Sequence, residues 1–147
     1  MSAEERAEVA MSPVLPKVFG RGIAVWFVLI GAEFVHGIAR AIWLVPVVGD
    51  FQSRQIGVLT GTIINLTVAA LFIRWIHPTR VADALAVGVI WFILTLTFEI
   101  AFGRAVMRAS WQRIGSDYDL IQGGLLPIGL VLLALAPLIT AKIRRVL

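Results

Sequence analysis

Four apolar stretches, each long enough to cross a lipid bilayer, constrain this chain more than anything else in it. They cover about residues 18–43, 54–76, 81–103 and 120–143. About 20 apolar residues in a helix span a hydrocarbon core roughly 30 Å thick, where the backbone must satisfy its own hydrogen bonds. Composition agrees: 59% of the 147 residues are apolar and 15% charged, with a mean hydropathy of +0.92. The expected fold is an all-α membrane protein of four transmembrane helices, with the lipid bilayer as its main partner. Residues 1–17 are polar and carry Glu4, Glu5 and Glu8 ahead of Pro13 and Pro16. They lack the basic start and small-residue cleavage site of a secretory signal. A short cytosolic tail is expected there, either briefly helical over 3–11 or disordered.

The basic residues set an expected orientation. Lys17, Arg21, Arg74, Arg80, Lys142, Arg144 and Arg145 flank the termini and the connection at His77-Pro78, which four antiparallel spans put on one side. Arg40, Arg54, Arg104, Arg108 and Arg113 fall toward the other, mixed with Asp50, Asp117 and Asp119. Lys and Arg favour the cytoplasmic side, so both termini are expected in the cytoplasm, with a bacterial inner membrane as the setting. The net charge of +4 is scattered over the ends of apolar runs and does not point to nucleic acid.

One polar pattern occurs twice. Glu33-x-x-His36-Gly37, Arg40-Ala41-Ile42-Trp43 and Asp50-Phe51-x-x-x-Gln55-x-Gly57 form the first copy. Glu99-x-x-Phe102-Gly103, Arg108-Ala109-Ser110-Trp111 and Asp117-Tyr118-x-x-x-Gln122-x-Gly124 form the second. The offset is 66 residues from Glu33 to Glu99 and 68 from Arg40 to Arg108, so a local irregularity is expected between Gly103 and Arg108. Two tandem two-helix repeats, 18–77 and 78–147, would enter the membrane in the same direction. Such parallel repeats are expected to be related by a pseudo-two-fold axis along the membrane normal.

Several repeated positions have structural explanations. Asp50 and Asp117 follow glycines closely and precede apolar helices, which suits N-caps. Trp43 and Trp111 suit an interfacial aromatic belt. Gly57, Gly61 and Asn65 make a small or polar stripe on the second helix. Gly57-x-x-x-Gly61 is expected to admit a close neighbouring helix and Asn65 to hydrogen-bond across the contact. Ala84-x-x-x-Gly88 is expected to serve the third helix in the same way.

The remaining polar residues are candidates for chemistry. Glu33, His36 and Arg40 share one helix face by their spacing. Glu33 lies ten residues before Trp43, about 15 Å below the interface at 1.5 Å per residue. Glu99 is expected at a comparable depth. A charge at mid-membrane costs at least about 2.5–3.5 kcal/mol, so both glutamates must be paired, hydrated or protonated. Arg40, Arg104 and Arg108 are the nearest cations in sequence, and Gln55 and Gln122 are expected to complete one polar cluster with them. That cluster is either a pocket handling a cation or protons, or an ion-pair clamp between the two halves.

No catalytic set stands out. Glu33-x-x-His36 matches half of a di-iron carboxylate site, but the second copy has Phe102 where the second histidine would be, and no metal or other cofactor is expected. The chain contains no cysteine and no nucleophile elbow. The expected function is an ion, proton or small-solute transport or channel module, working as a homo-oligomer or with other membrane subunits. The alternative is a non-catalytic accessory or assembly subunit of a larger membrane complex.

Overall fold

A computed structural model describes residues 1–11 and 15–147, with side chains for 1–7 and 15–147. Among these residues the structure is all-helical, without strands. In the tail, α1 (Ala3–Met11) is a short helix, while 12–14 lie outside the described residues. Then come α2 (Leu15–Val48), α3 (Asp50–Ile76) and α4 (Val81–Ala105). The short α5 (Trp111–Tyr118) and a 3₁₀ turn (Leu120–Gln122) lead into α6 (Leu126–Ile143). Helices α2, α3, α4 and α6 are long and apolar enough to cross a membrane.

Local chemistry sets the boundaries, and several differ from the expected ones. The first helix does not stop at Trp43. It loosens into a π turn over Arg40–Leu44, closed by the Val45 N–H on the Arg40 carbonyl, and then continues to Val48. The cause is Pro46, which has no N–H to offer the carbonyl four residues back; a wider turn absorbs the gap. In the second copy the chain leaves the helix instead. After Ala105 the Met107 N–H reaches the Phe102 carbonyl (3.1 Å) and Ala109 reaches Gly103 (2.8 Å). Arg108 takes a positive φ of 51° in this turn. Each copy therefore carries an irregularity, but of a different kind.

The expected caps also move. The N-cap of α3 is Gly49, which offers no side chain, and Asp50 is the first helical residue. Asp117 sits inside α5, whose cap is Ser110, accepting from the Arg113 N–H at 3.1 Å. Asp119 caps the 3₁₀ turn through the N–H groups of Ile121 and Gln122. That turn ends on Gly123 at φ 92°, and Gly124 lies against the backbone of Ser116 and Asp117, where a Cβ would not fit. The fourth long helix consequently begins at Leu126, six residues later than the apolar run suggests. At the opposite end, α3 stops at left-handed His77, and Pro78 follows. Buried Asp83 accepts from the Thr79 hydroxyl (3.0 Å) and the Arg80 N–H (3.1 Å) to start α4.

Around the bundle the order is α2, α3, α6, α4, each helix packed chiefly on the two beside it. Thus α2 lies beside α4 and across from α6. A two-fold axis along the membrane normal would set α2 across from α4, so this order does not display that symmetry. The packed core occupies the half nearer the termini, with Val25, Leu29, Ile73, Ile76, Val87, Trp91 and Leu133 buried. Two indoles join α2 to α4 there: Trp91 Nε1 donates to the Gly22 carbonyl (2.8 Å) and Trp26 Nε1 to Thr95 Oγ1 (3.0 Å). Phe27, Val35, Leu59, Ile63, Leu71, Val89 and Val131 face outward, as an apolar belt against lipid would.

Helices α4 and α6 meet closely at Gly88, where a Cβ would run into the Ala134 backbone of α6. Gly88→Ala should therefore destabilise the bundle by about 1–3 kcal/mol. Gly31→Ala, with nothing within 4 Å of its new Cβ, should be neutral or stabilising by up to about 1 kcal/mol. Thermal unfolding in detergent reads the difference, and equal effects would contradict this packing.

Candidate functional site

In the half of the bundle away from the core, the helices line a half-open cavity of about 470 Å³. Residues 30–41 of α2, 54–65 of α3, 95–103 of α4, 113–118 of α5 and 126–133 of α6 contribute to its wall. Glu33, His36, Arg40 and Glu99 all line it.

The α2 face is held by hydrogen bonds to α3. Glu33 Oε2 lies 3.1 Å from His36 Nδ1, and His36 Nε2 lies 2.7 Å from Thr60 Oγ1. With a neutral ring, Nδ1–H donates to Glu33 and the Thr60 hydroxyl donates to Nε2. With a protonated ring both nitrogens donate, and the Thr60 hydroxyl turns to the Ile56 carbonyl at 3.1 Å. Arg40 Nη1 donates to the buried Ser53 hydroxyl at 2.7 Å.

The glycines of α3 make this arrangement possible. A Cβ at Gly61 would lie 2.9 Å from Glu33 Oε1, and one at Gly57 would lie 2.8 Å from Arg40 Cδ. The small-residue stripe therefore accommodates polar side chains of α2 as well as the helix itself. Asn65 completes the stripe, but its Oδ1 is buried without a hydrogen-bond partner rather than bridging helices. Glu33 Oε1 is likewise buried and unpartnered. Glu99 is exposed to the cavity. Among the described residues it has no hydrogen bond or ion pair.

The rest of the expected cluster lies elsewhere. Arg104 Nη1 donates to the Ala109 carbonyl (2.9 Å) and its guanidinium covers the Trp111 ring at 4.6 Å, fastening the turn after α4. Arg108 is exposed in that turn. Gln55 Nε2 donates to the Gly123 carbonyl at 2.8 Å, tying α3 to the start of the fourth span. Gln122 is exposed outside the cavity. No Glu–Arg ion pair forms from this set.

Two residues outside the expected set, Arg54 and Arg113, close the cavity's end. Arg54 bonds Asp117 and donates to the Ser116 hydroxyl (3.3 Å). It also meets Asp50 at 3.1 Å, an ionic contact in which its Nε–H is not aimed at the oxygen. Arg113 Nη2 donates to both Asp50 oxygens, at 3.1 and 3.3 Å. The chain of charges runs Arg113, Asp50, Arg54, Asp117 and stitches the two halves together. Its signal in the sequence is the i, i+4 spacing of Asp50 with Arg54 and of Arg113 with Asp117, the spacing of helical charge pairs.

Burial shifts two groups beside this network. Asp117 is pushed up from the ordinary aspartate range, chiefly by burial, with Arg54 pulling it back. The Tyr118 hydroxyl is pushed up to about 12 by burial and then by the Glu99 and Asp117 charges, and it has no hydrogen-bond partner. The chain matches no protein-family model, no curated protein and no solved structure.

The Asp117 shift has a definite sign. Its folded form binds a proton more tightly than the unfolded chain. Its contribution to stability is therefore greatest below the unfolded value of about 3.9 and declines as pH rises through the raised value. The melting-temperature difference between wild type and Asp117→Asn should fall over that rise and then level off. A difference that grows with pH would contradict the burial of Asp117.

Proposed function

We propose that the protein is a small membrane transport or channel module that handles a cation or a proton at Glu33 and Glu99. The observation that carries this reading is Glu99: a carboxylate on a membrane-length helix, without a protein partner, facing a cavity. A buried clamp would leave no such group, because an unpaired charge is costly unless something else neutralises or hydrates it. The clamping role falls to Asp50, Arg54, Arg113 and Asp117, which are paired with one another. That network is also what favours the second reading, an accessory or assembly subunit. It fixes the shape of the molecule at one membrane face, where exposed Trp43, Val47 and Trp111 are open to another subunit or a second copy.

The chain reads further as a duplicated two-helix unit, 18–77 and 78–147, whose halves lie side by side: α2 next to α4 and α3 next to α6. We place it in a bacterial inner membrane with both termini and the His77–Arg80 connection cytoplasmic, on the strength of the lysine and arginine distribution. The expected pseudo-two-fold axis has no support in the neighbour order and is not carried into this reading.

Reporter fusions after residues 78 and 147 test the orientation; both should report cytoplasm, and a periplasmic signal from either reverses it. In proteoliposomes, Glu33→Gln and Glu99→Gln should keep the fold and change the pH dependence of cation or proton uptake. Arg54→Gln should instead lower thermal stability by about 1–3 kcal/mol, because it strands Asp117. Glutamate variants that behave like Arg54→Gln, with unchanged uptake, would favour the assembly reading.

A further inference from the structure

We propose that the cavity's ligand is a protonated amine carried on an apolar, ring-bearing body, and that it competes with one proton for the site. The inference rests on the transport reading and names the class of molecule that the same cavity takes.

Size is the first argument. About 470 Å³ falls within the range of pockets for small organic molecules, roughly 300–1,000 Å³, and far exceeds a bare inorganic ion.

Charge is the second. On the cavity wall α3 and α5 contribute Arg54, Arg113, Asp117 and Tyr118, and α6 contributes no titratable side chain. Arg54 and Arg113 are balanced by Asp50 and Asp117, and Tyr118 stays neutral with its hydroxyl pushed up to about 12. What remains is Glu33, His36 and Arg40 on α2, and Glu99 on α4. With a neutral His36 ring that set holds two carboxylates against one guanidinium. The excess is a single negative charge, which one proton or one monovalent cation neutralises.

The third argument is hydrogen-bonding sense. Glu33 Oε1 and Asn65 Oδ1 are buried oxygens without a donor, and ionised Glu99 only accepts. All three call for N–H or O–H groups on the ligand. An anion would meet one guanidinium not balanced by an aspartate, Arg40, already bonded to Ser53, and would face two carboxylates.

The walls supply the fourth. Phe34 meets Phe102 edge-on at 5.9 Å, and Phe102 stacks on Phe98 at 5.5 Å. These rings, with Leu126, Leu130 and Leu133 from α6, form an apolar surface beside the carboxylates. Aromatic faces attract a desolvated ammonium and accept a second ring by stacking or edge contact.

The experiment uses the full-length protein in detergent, titrated calorimetrically with phenethylammonium from pH 5 to 8. A primary amine with a pKa near that of lysine, about 10.4, stays protonated across this range. Phenethylammonium should bind, with affinity falling toward acid pH as the proton competes, whereas 3-phenylpropionate should not bind. Glu99→Gln should weaken the amine by about ten- to a hundred-fold, the worth of a charge-assisted hydrogen bond. Asn65→Leu should weaken it less, and Gln122→Ala not at all; size-exclusion profiles confirm that each variant is folded. Equal binding of 3-phenylpropionate, amine affinity independent of pH, or amine affinity untouched by Glu99→Gln would overturn the proposal. Flux in proteoliposomes separates the two readings. Proton or sodium flux without amine binding leaves the transport reading and removes the amine. Amine binding without flux leaves the ligand class and removes transport.

Discussion

The cost of placing a carboxylate in a low-dielectric interior shapes the half of this molecule that is not packed core. Such a charge is tolerated only where it is paired, hydrated or protonated. Glu33 is partly answered by His36, and room for its carboxylate comes from the missing Cβ of Gly61. Among the described residues Glu99 has no partner, and it faces the cavity. If α2 and α4 packed together here as tightly as they do near Trp91, Glu99 would be sealed in without a partner. The bundle is therefore closed by apolar packing at one end and by ion pairs at the other, with a polar space between them.

The ion-pair end shows how this division is held. Asp50, Arg54, Arg113 and Asp117 gather at the ends of the apolar runs, where their charges are paired with one another, and each cation bridges the two halves of the chain. Arg54 packs over the Phe51 ring at 5.3 Å, so apolar and ionic contacts reinforce one orientation. The arginines that sequence proximity assigned to the glutamates have other partners: Arg40 takes Ser53 and Arg104 takes a carbonyl and Trp111. With Arg104 and Arg108 outside the cavity, Glu33 and Glu99 share it with Arg40, which leaves one acid in excess.

The two occurrences of the polar pattern differ in how they leave the membrane-length helix. Pro46 lets the first copy stay helical through a π turn, while the second breaks at 106–110 and restarts as α5. The consequence is an asymmetric site. The first copy supplies a hydrogen-bonded Glu–His–Thr group; the second supplies a bare glutamate and, from α5, a lid of Arg113, Asp117 and Tyr118 over the cavity's end. Phe102, standing where the second histidine would be, contributes a ring to the apolar wall instead.

Four membrane-length helices and the stop at His77-Pro78 were legible in the sequence. Both follow from local properties: the length of an apolar run and the backbone limits of proline. The same is true of the irregularity near Arg108, which the unequal offsets required. Tertiary structure alone decided that α2 lies beside α4, that Gly57 and Gly61 receive Arg40 and Glu33, and that Arg54 and Arg113 rather than Arg104 and Arg108 bind the acids. Those outcomes depend on which helix faces which. An arginine side chain long enough to reach several partners leaves no mark in the sequence of the one it takes. The caps moved for a related reason: an aspartate at a helix start serves the free N–H groups or a nearby guanidinium, and at Asp50 and Asp117 the guanidinium, delivered by the other half of the chain, prevails.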